Sequence, residues 1–169
     1  MPATRAKPTA DPGETLTPAG ARVLRRFRIV FNSVRSHFRA VERKTGLTGA
    51  QAWALSVIRD HPGIGVGGLA KAMDIHQSTA SNLLRPLLAR GLVVSDRAGT
   101  DKRVVRLQVS AEALKLLRKV PGPYAGVLPE ALDRLDEVTL QRLDRDLGRL
   151  IQVLGANEAA GNLPLGQPQ

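Results

Sequence analysis

Between Leu47 and Ser110 the hydrophobic repeat changes once, from the three-to-four-residue step of a helix to the two-residue step of a strand. That change sets the order of elements. Trp53, Leu55 and Ile58 lie on a first short helix that stops before His61-Pro62-Gly63. A short apolar segment, Ile64 to Val66, leads into a smaller helix with Leu69, Ala70 and Met73, and Asp74-Ile75-His76 reads as a turn. A further helix runs from about Gln77 to Arg90, with Leu83, Leu84, Leu87 and Leu88 expected to face inward and Gly91 expected to close it. Then Leu92-Val93-Val94 reads as a strand, residues 96–101 as a turn around Gly99, and Val105, Leu107 and Val109 alternate with Arg106 and Gln108 as a half-buried strand. A helix-turn-helix is therefore followed by a β-hairpin. Pro86 falls in the middle of the longest of these helices, where the ring removes one backbone hydrogen bond and crowds the preceding turn, so a kink is expected there.

Longer helices flank this unit. Thr17-Pro18 has the chemistry of a helix start, with a hydroxyl to cap and a ring already set at the helical φ. Val23, Phe27, Val30, Phe31, Val34, Phe38 and Val41 then form one apolar stripe that Gly46 terminates. Thr48 to Gln51 reads as a capping box, with Leu47 stapled to Ala52. Ser110 caps a helix after the hairpin. Pro121-Gly122-Pro123 interrupts that helix, which resumes near Val127. A last helix places Leu140, Leu143, Leu147, Leu150, Ile151 and Leu154 on one stripe, which is expected to be buried. Residues 1–17 and 155–169 are poor in apolar side chains and read as a flexible arm and tail. The expected organisation is thus helical regions 18–46 and 111–154 around a unit spanning 47–110.

Charge is segregated along the chain. The net charge is +10, and the whole excess lies before residue 111: residues 18–45 hold 8 basic and 1 acidic side chains, residues 46–110 hold 8 and 4, and residues 111–169 hold 7 and 8. A surplus placed this way points to a polyanionic partner, most commonly nucleic acid. There is no Cys, which excludes disulfides, thiolate metal sites and sensing by thiol oxidation. Three His without a carboxylate cluster at ligand spacing do not suggest a metal site, and neither a phosphate-cradling loop nor a Gly-x-Ser-x-Gly elbow occurs. No catalytic site and no cofactor are expected. No apolar run of membrane length is present, and the expectation is a soluble, cytoplasmic protein.

The element order and specific residues resemble the MarR family of bacterial transcriptional regulators. The resemblance rests on Leu47-Thr48-x-x-Gln51, Leu69-Ala70, and the run Gln77-Ser78-Thr79-Ala80-Ser81 with Leu83-Leu84. It continues with Leu87-x-x-Arg90-Gly91-Leu92-Val93, then Asp101-Lys102-Arg103 and Leu107-x-Val109-Ser110. It implies a mainly α fold with a small β-hairpin wing, in which a winged helix-turn-helix is joined to a helical dimerisation layer. It implies a homodimer, interleaved through its first, fifth and sixth helices, that sets two recognition helices against a near-palindromic operator in double-stranded DNA. It also implies a small aromatic or phenolic effector, so that the protein would act as a ligand-responsive repressor. His76 stands where the family often has Ser, which leaves the recognition-helix cap weaker or supplied differently.

Gln77, Ser78, Thr79, Ser81, Asn82 and Arg85 are the candidates for the major groove. Gln and Asn can bond adenine in a two-pronged way, Arg can bond guanine, and Ser or Thr can bond bases or phosphate. Arg97, Lys102 and Arg103 are the wing candidates, suited to the narrow, electronegative minor groove. By resemblance, Asp101 pairs with Arg103 and fixes its direction. Lys71, Arg43 and Lys44 are candidates for phosphate contact. The remaining arginines of the first helix read as a solvated face that offsets acidic groups on the last helix. His37, Phe38, Trp53 and His61 are the effector-pocket candidates, against the plainer reading of an aromatic core stripe. Two other functions compete: a winged helix that docks protein, which has no need of a basic wing, and an enzyme, for which no acid–base or metal cluster is present.

Overall fold

The computed structural model describes residues 16–96 and 106–165. Seven α-helices and one two-stranded hairpin are found among them: α1 Pro18–Thr45, α2 Gly49–Asp60, α3 Val66–Ala72, α4 Gln77–Ala89, β1 Val93–Asp96, β2 Arg106–Val109, α5 Ala111–Leu117, α6 Val127–Asp133 and α7 Glu137–Leu154. The fold is a winged helix-turn-helix between longer helices.

Local chemistry sets each boundary. The Thr17 hydroxyl accepts from the Gly20 amide at 3.1 Å, and Pro18 opens α1. Gly46 closes α1 in the left-handed region, at φ +64. Both arms of the capping box are present: Gln51 N–H donates to Thr48 Oγ1 at 3.2 Å, and Thr48 N–H donates to Gln51 Oε1 at 3.0 Å. Ser110 caps α5 through the Ala113 amide at 3.2 Å. At the α3–α4 turn, Asp74 takes φ +52, which lets the Ile75 amide reach back to the Ala70 carbonyl at 3.0 Å. That reversal sets α4 across α3.

The hairpin pairs antiparallel from Val93 opposite Val109 to Asp96 opposite Arg106. A third segment extends it. Gly63 N–H donates to the Leu107 carbonyl at 2.8 Å, and Leu107 N–H donates to the Ile64 carbonyl at 3.1 Å. The apolar residues Ile64 to Val66 therefore bridge α2 to the wing before entering α3. One core holds the unit together. Leu47, Leu55, Ile58, Leu69, Met73, Leu87, Val93, Leu107 and Leu117 are all buried within it.

Several expectations change. Leu88 is 39% exposed, because it lies at the edge of the buried row, about 40° round the helix beyond Leu84 and about 100° from Leu87. Helix α4 runs on past Pro86 to Ala89, and the bond that the ring removes is the one to the Asn82 carbonyl. A short 3-10 helix at Glu158–Asn162 lies in the segment read as tail, started by the Asn157 side chain, which accepts from the Ala159 amide. The largest difference concerns the two outer stripes. On α1 only Val41 and Thr45 are buried, and Val23, Val30 and Phe31 are exposed. No residue of α7 is buried, with Leu147 at 41% and Ile151 at 37% exposure. Within a single chain these faces have too little to pack against: α1 rests on α2 and α6, and α7 supplies no residue to the core. Among the described residues no helix is long and apolar enough to cross a membrane.

Candidate nucleic-acid interface

Helix α4 is two-faced. Ala80, Leu83, Leu84 and Leu87 are buried, and they anchor the helix on α2 and α3. Ser81 and Asn82 lie three and four residues after Ser78, and Arg85 lies four and three after them, so the four share the opposite face, and all are exposed. Gln77 is exposed beside them. Thr79 does not join this face. It is only 9% exposed, and it precedes Leu83 by one turn and Leu87 by two. The core spacing would have assigned it inward, and its side chain is removed from the set of groove contacts.

The polar face is partly pre-arranged. Arg85 Nη2 donates to Asn82 Oδ1 at 3.1 Å, which leaves the amide N–H groups of Asn82 and the rest of the guanidinium fork free to donate outward. The Ser81 hydroxyl donates to the Gln77 carbonyl at 2.9 Å, and its oxygen remains an acceptor. His76 precedes the helix in extended conformation, with no hydrogen bond from its side chain to the helix start. The first amides of α4 therefore have no side-chain cap from His76, a positive end suited to phosphate. Lys71 on α3, and Arg43 and Lys44 in the last turn of α1, are exposed. Arg97, Asp101, Lys102 and Arg103 lie outside the described residues. The strand ends that lead to them, Asp96 and Arg106, face one another across the hairpin.

The effector candidates separate into two groups. His37 and Phe38 meet edge to face, with ring centroids 5.6 Å apart. The Phe38 ring fills the space between α2 and α6: a Cβ built on Gly49 would lie 2.1 Å from it, and one on Gly126 would lie 3.3 Å away. Gly126 also needs glycine for its backbone, at φ +101. Trp53 sits one turn beyond Gly49 on α2, half-buried against the core. His61 is exposed beyond the far end of that helix, about 18 Å along the axis from Gly49, and is not part of the same cluster. His37 Nε2 is buried, with no hydrogen-bond partner among the described residues. Burial holds the His37 pKa below the ordinary histidine value, and the nearby Pro123 carbonyl opposes this only in part.

Two features carried no signal in the sequence. Arg59 forms a two-pronged pair with Asp60, at 2.7 and 2.9 Å, and its guanidinium lies 4.9 Å above the centre of the Tyr124 ring. Arg90, at the end of α4, donates to the Gly46 carbonyl at the end of α1. Neither Tyr124 nor Gly46 stands at a sequence spacing that would announce its partner.

Comparison with known proteins adds to this geometry. The MarR family model matches residues 45–104. An inferred transcriptional regulatory protein for the hcr operon of Thauera aromatica is 30% identical over 132 residues, covering 78% of this chain and 74% of that protein. The chain belongs to the MarR family. Among solved structures, a MepR-like protein complexed with pseudoligands matches at a TM-score of 0.55 and 16% identity, over 83% of this chain and all of that one. MepR, a transcription regulator of the Staphylococcus aureus multidrug efflux pump MepA, matches at 0.51 and 20%, over 82% of this chain and 99% of its own. YusO of Bacillus subtilis matches at 0.51 and 19%, over 78% and 94%. At these identities the structural likeness concerns the fold, and it gives this MarR-family chain the mainly helical winged helix-turn-helix already described.

Proposed function

We propose that this MarR-family regulator acts as a homodimer on a near-palindromic operator, reading bases with α4 and tracking the minor groove with Arg97, Lys102 and Arg103, which lie in sequence between β1 and β2. The observation that carries the reading is the exposed row Ser78, Ser81, Asn82 and Arg85 on a helix whose other side is fixed in the core. Such a row has no structural work to do inside the chain, and its donors and acceptors are those that read base edges. The apolar faces left open on α1 and α7 support self-association, since contiguous exposed apolar surface on a monomer marks an interface. The surroundings of His37, Phe38 and Trp53, where α1, α2 and α6 meet, are the place we assign to a small aromatic or phenolic effector, which would have to displace the Phe38 ring that now fills the gap. A ligand wedged there would change the angle between the helical layer and the winged unit, and so the separation of the two recognition helices.

The test begins with selection of bound fragments from the host genome, which yields the operator. On that operator Arg85→Ala should relax preference at one base position and cost about 1–3 kcal/mol. Arg103→Ala should weaken binding at least tenfold, on the order of 1.4 kcal/mol, while leaving the oligomer intact. Salt-independent binding, or no selected sequence, would overturn the reading.

A further inference from the structure

Helix α1 carries a second charged surface that the recognition helix does not explain. Arg25, Arg28, Asn32, Arg35, Arg39 and Arg43 recur at three- and four-residue steps, with one seven-residue gap between arginines that Asn32 fills. At 3.6 residues per turn they fall on one stripe about 27 Å long, roughly opposite the apolar stripe that contains Val23, Val30 and Val41. All six are exposed, and none of the five arginines forms an ion pair among the described residues. The sequence had suggested that these charges offset acidic groups on the last helix. Among the described residues no acid of α7 pairs with an α1 arginine: Asp146 lies 3.9 Å from Arg149 of its own helix, and Glu137 accepts from Gln141. Glu42, the one acidic residue of α1, sits at the edge of the stripe and is likewise in no ion pair among the described residues.

We propose that this arginine stripe is a second nucleic-acid surface, which binds the phosphate backbone of duplex DNA outside the base pairs that α4 reads. The charge pattern selects the occupant. A protein partner is held by apolar anchors at the centre of its interface, whereas the centre line of this stripe is Arg and Asn and its exposed apolar residues, Ile29 and Phe31, stand at its margins. A regular polyanion needs only spaced cations, and the planar guanidinium fork suits phosphate oxygens. Position selects which DNA. The stripe starts at Arg43, beside the winged unit, where Arg90 of α4 holds the Gly46 carbonyl, and runs away from that unit toward Arg25. DNA lying on it is therefore flanking or second-segment duplex, contacted without sequence preference. The proposal rests on the protein being a DNA binder but not on α4 being the reader.

The experiment compares the full-length wild type with Arg25→Gln/Arg28→Gln/Arg35→Gln/Arg39→Gln, since Gln keeps helix propensity and removes charge. Binding is measured against KCl concentration on a duplex of about 20 base pairs and on one of about 60 base pairs, each in operator and random sequence, because the salt slope counts phosphate contacts. The expected result is a steeper log K against log [salt] slope for wild type on the long duplex. That excess should be lost in the variant, by about one unit of slope per arginine removed, with short-operator affinity kept within about twofold. Arg28→Gln and Arg35→Gln alone should each remove about one unit, which keeps the test readable if the quadruple variant folds poorly. Equal slopes for variant and wild type would overturn the proposal. So would a change of mass by light scattering, which would make the stripe a protein interface, or tighter wild-type binding to vesicles containing anionic lipid than to the long duplex. Failure of the operator reading is separate: it shows as equal wild-type affinity for short operator and short random duplex, and it leaves the long-duplex slopes interpretable.

Discussion

Arg90 Nη1 donates to the carbonyl of Gly46 at 3.1 Å, across a sequence separation of 44 residues, and so ties the end of the recognition helix to the end of α1. Both partners stand at helix C-termini, where carbonyls are left without intrahelical donors and the dipoles are negative. The guanidinium therefore serves the end of α1 from a residue at the end of α4, at the seam between the long helix and the winged unit. Because Arg90 is exposed, the contribution is modest. Arg90→Ala should lower the stability of the free protein by about 0.5–1 kcal/mol, read as a lower urea midpoint at constant slope. Arg90→Lys, which keeps the charge and can still reach the carbonyl, should lose less. A midpoint unchanged in Arg90→Ala would show that the contact has no net worth.

Phe38 and Gly49 are fitted to one another. The Cβ of an alanine at position 49 would meet the Phe38 ring at 2.1 Å, and a Cβ on Gly126 would lie 3.3 Å from the same ring, so both glycines leave room that the ring occupies. Gly49→Ala should destabilise the protein by about 1–3 kcal/mol, the range for overpacking a filled site. In a Phe38→Leu background the same substitution should cost much less, so the double-mutant cycle should give a coupling of about 1 kcal/mol or more. Additive effects would place the cost of Gly49→Ala somewhere other than this contact.

His37 makes stability depend on pH. Its folded-state pKa lies below the ordinary value because burial disfavours the imidazolium, so the unfolded chain takes up the proton first. Stability is whole at neutral and alkaline pH, and it falls as pH drops from about 6.5 toward the lower folded-state value. Asp60, held below the usual carboxylate range by the hydrogen bond from Arg59, and Asp136, held there by Thr139, lose their contributions in a separate window below about pH 4. Urea midpoints between pH 7.5 and 5 should decline for the wild type, and His37→Gln should flatten that decline. An equal decline in both proteins would assign it to another group.

The residues show what the sequence could and could not reveal. Capping chemistry is local, so Thr17-Pro18, Thr48 with Gln51, and Ser110 marked their helix starts correctly. Periodicity is local too, and it located Leu83, Leu84 and Leu87 inward and most of the polar row opposite, although it also turned the exposed Leu88 inward. Thr79 was assigned by residue type when its spacing to Leu83 and Leu87 already placed it inside. The meeting of Arg90 with Gly46, or of Phe38 with Gly49 and Gly126, depends on how α1, α2, α4 and α6 pack, and short-range pattern holds no record of that. The stripes of α1 and α7 were legible as apolar, but a pattern says only that a face wants burial and not whether the same chain supplies the cover.

Leu147 and Ile151 settle that last question by experiment. They lie one turn apart on α7, still 41% and 37% exposed, on a helix with no buried residue that is aligned with Leu143, Leu150 and Leu154. If α7 of a second copy covers this stripe, each leucine or isoleucine gains on the order of 1 kcal/mol from completing its burial, and a carboxylate in its place must be desolvated without a partner. Leu147→Glu/Ile151→Glu should therefore dissociate the protein from twice 18.1 kDa to a single chain of 18.1 kDa by light scattering. The winged unit should stay folded, because its core of Leu55, Ile58, Leu69, Leu87 and Leu107 draws nothing from α7. Helical circular dichroism and the cooperativity of urea unfolding check that the monomer is native. Operator affinity should then fall far more than either recognition helix alone explains, since the two half-sites would no longer be bound as one. A variant that keeps the wild-type mass and operator affinity would remove α7 from the interface and leave the exposed face of α1 to form it.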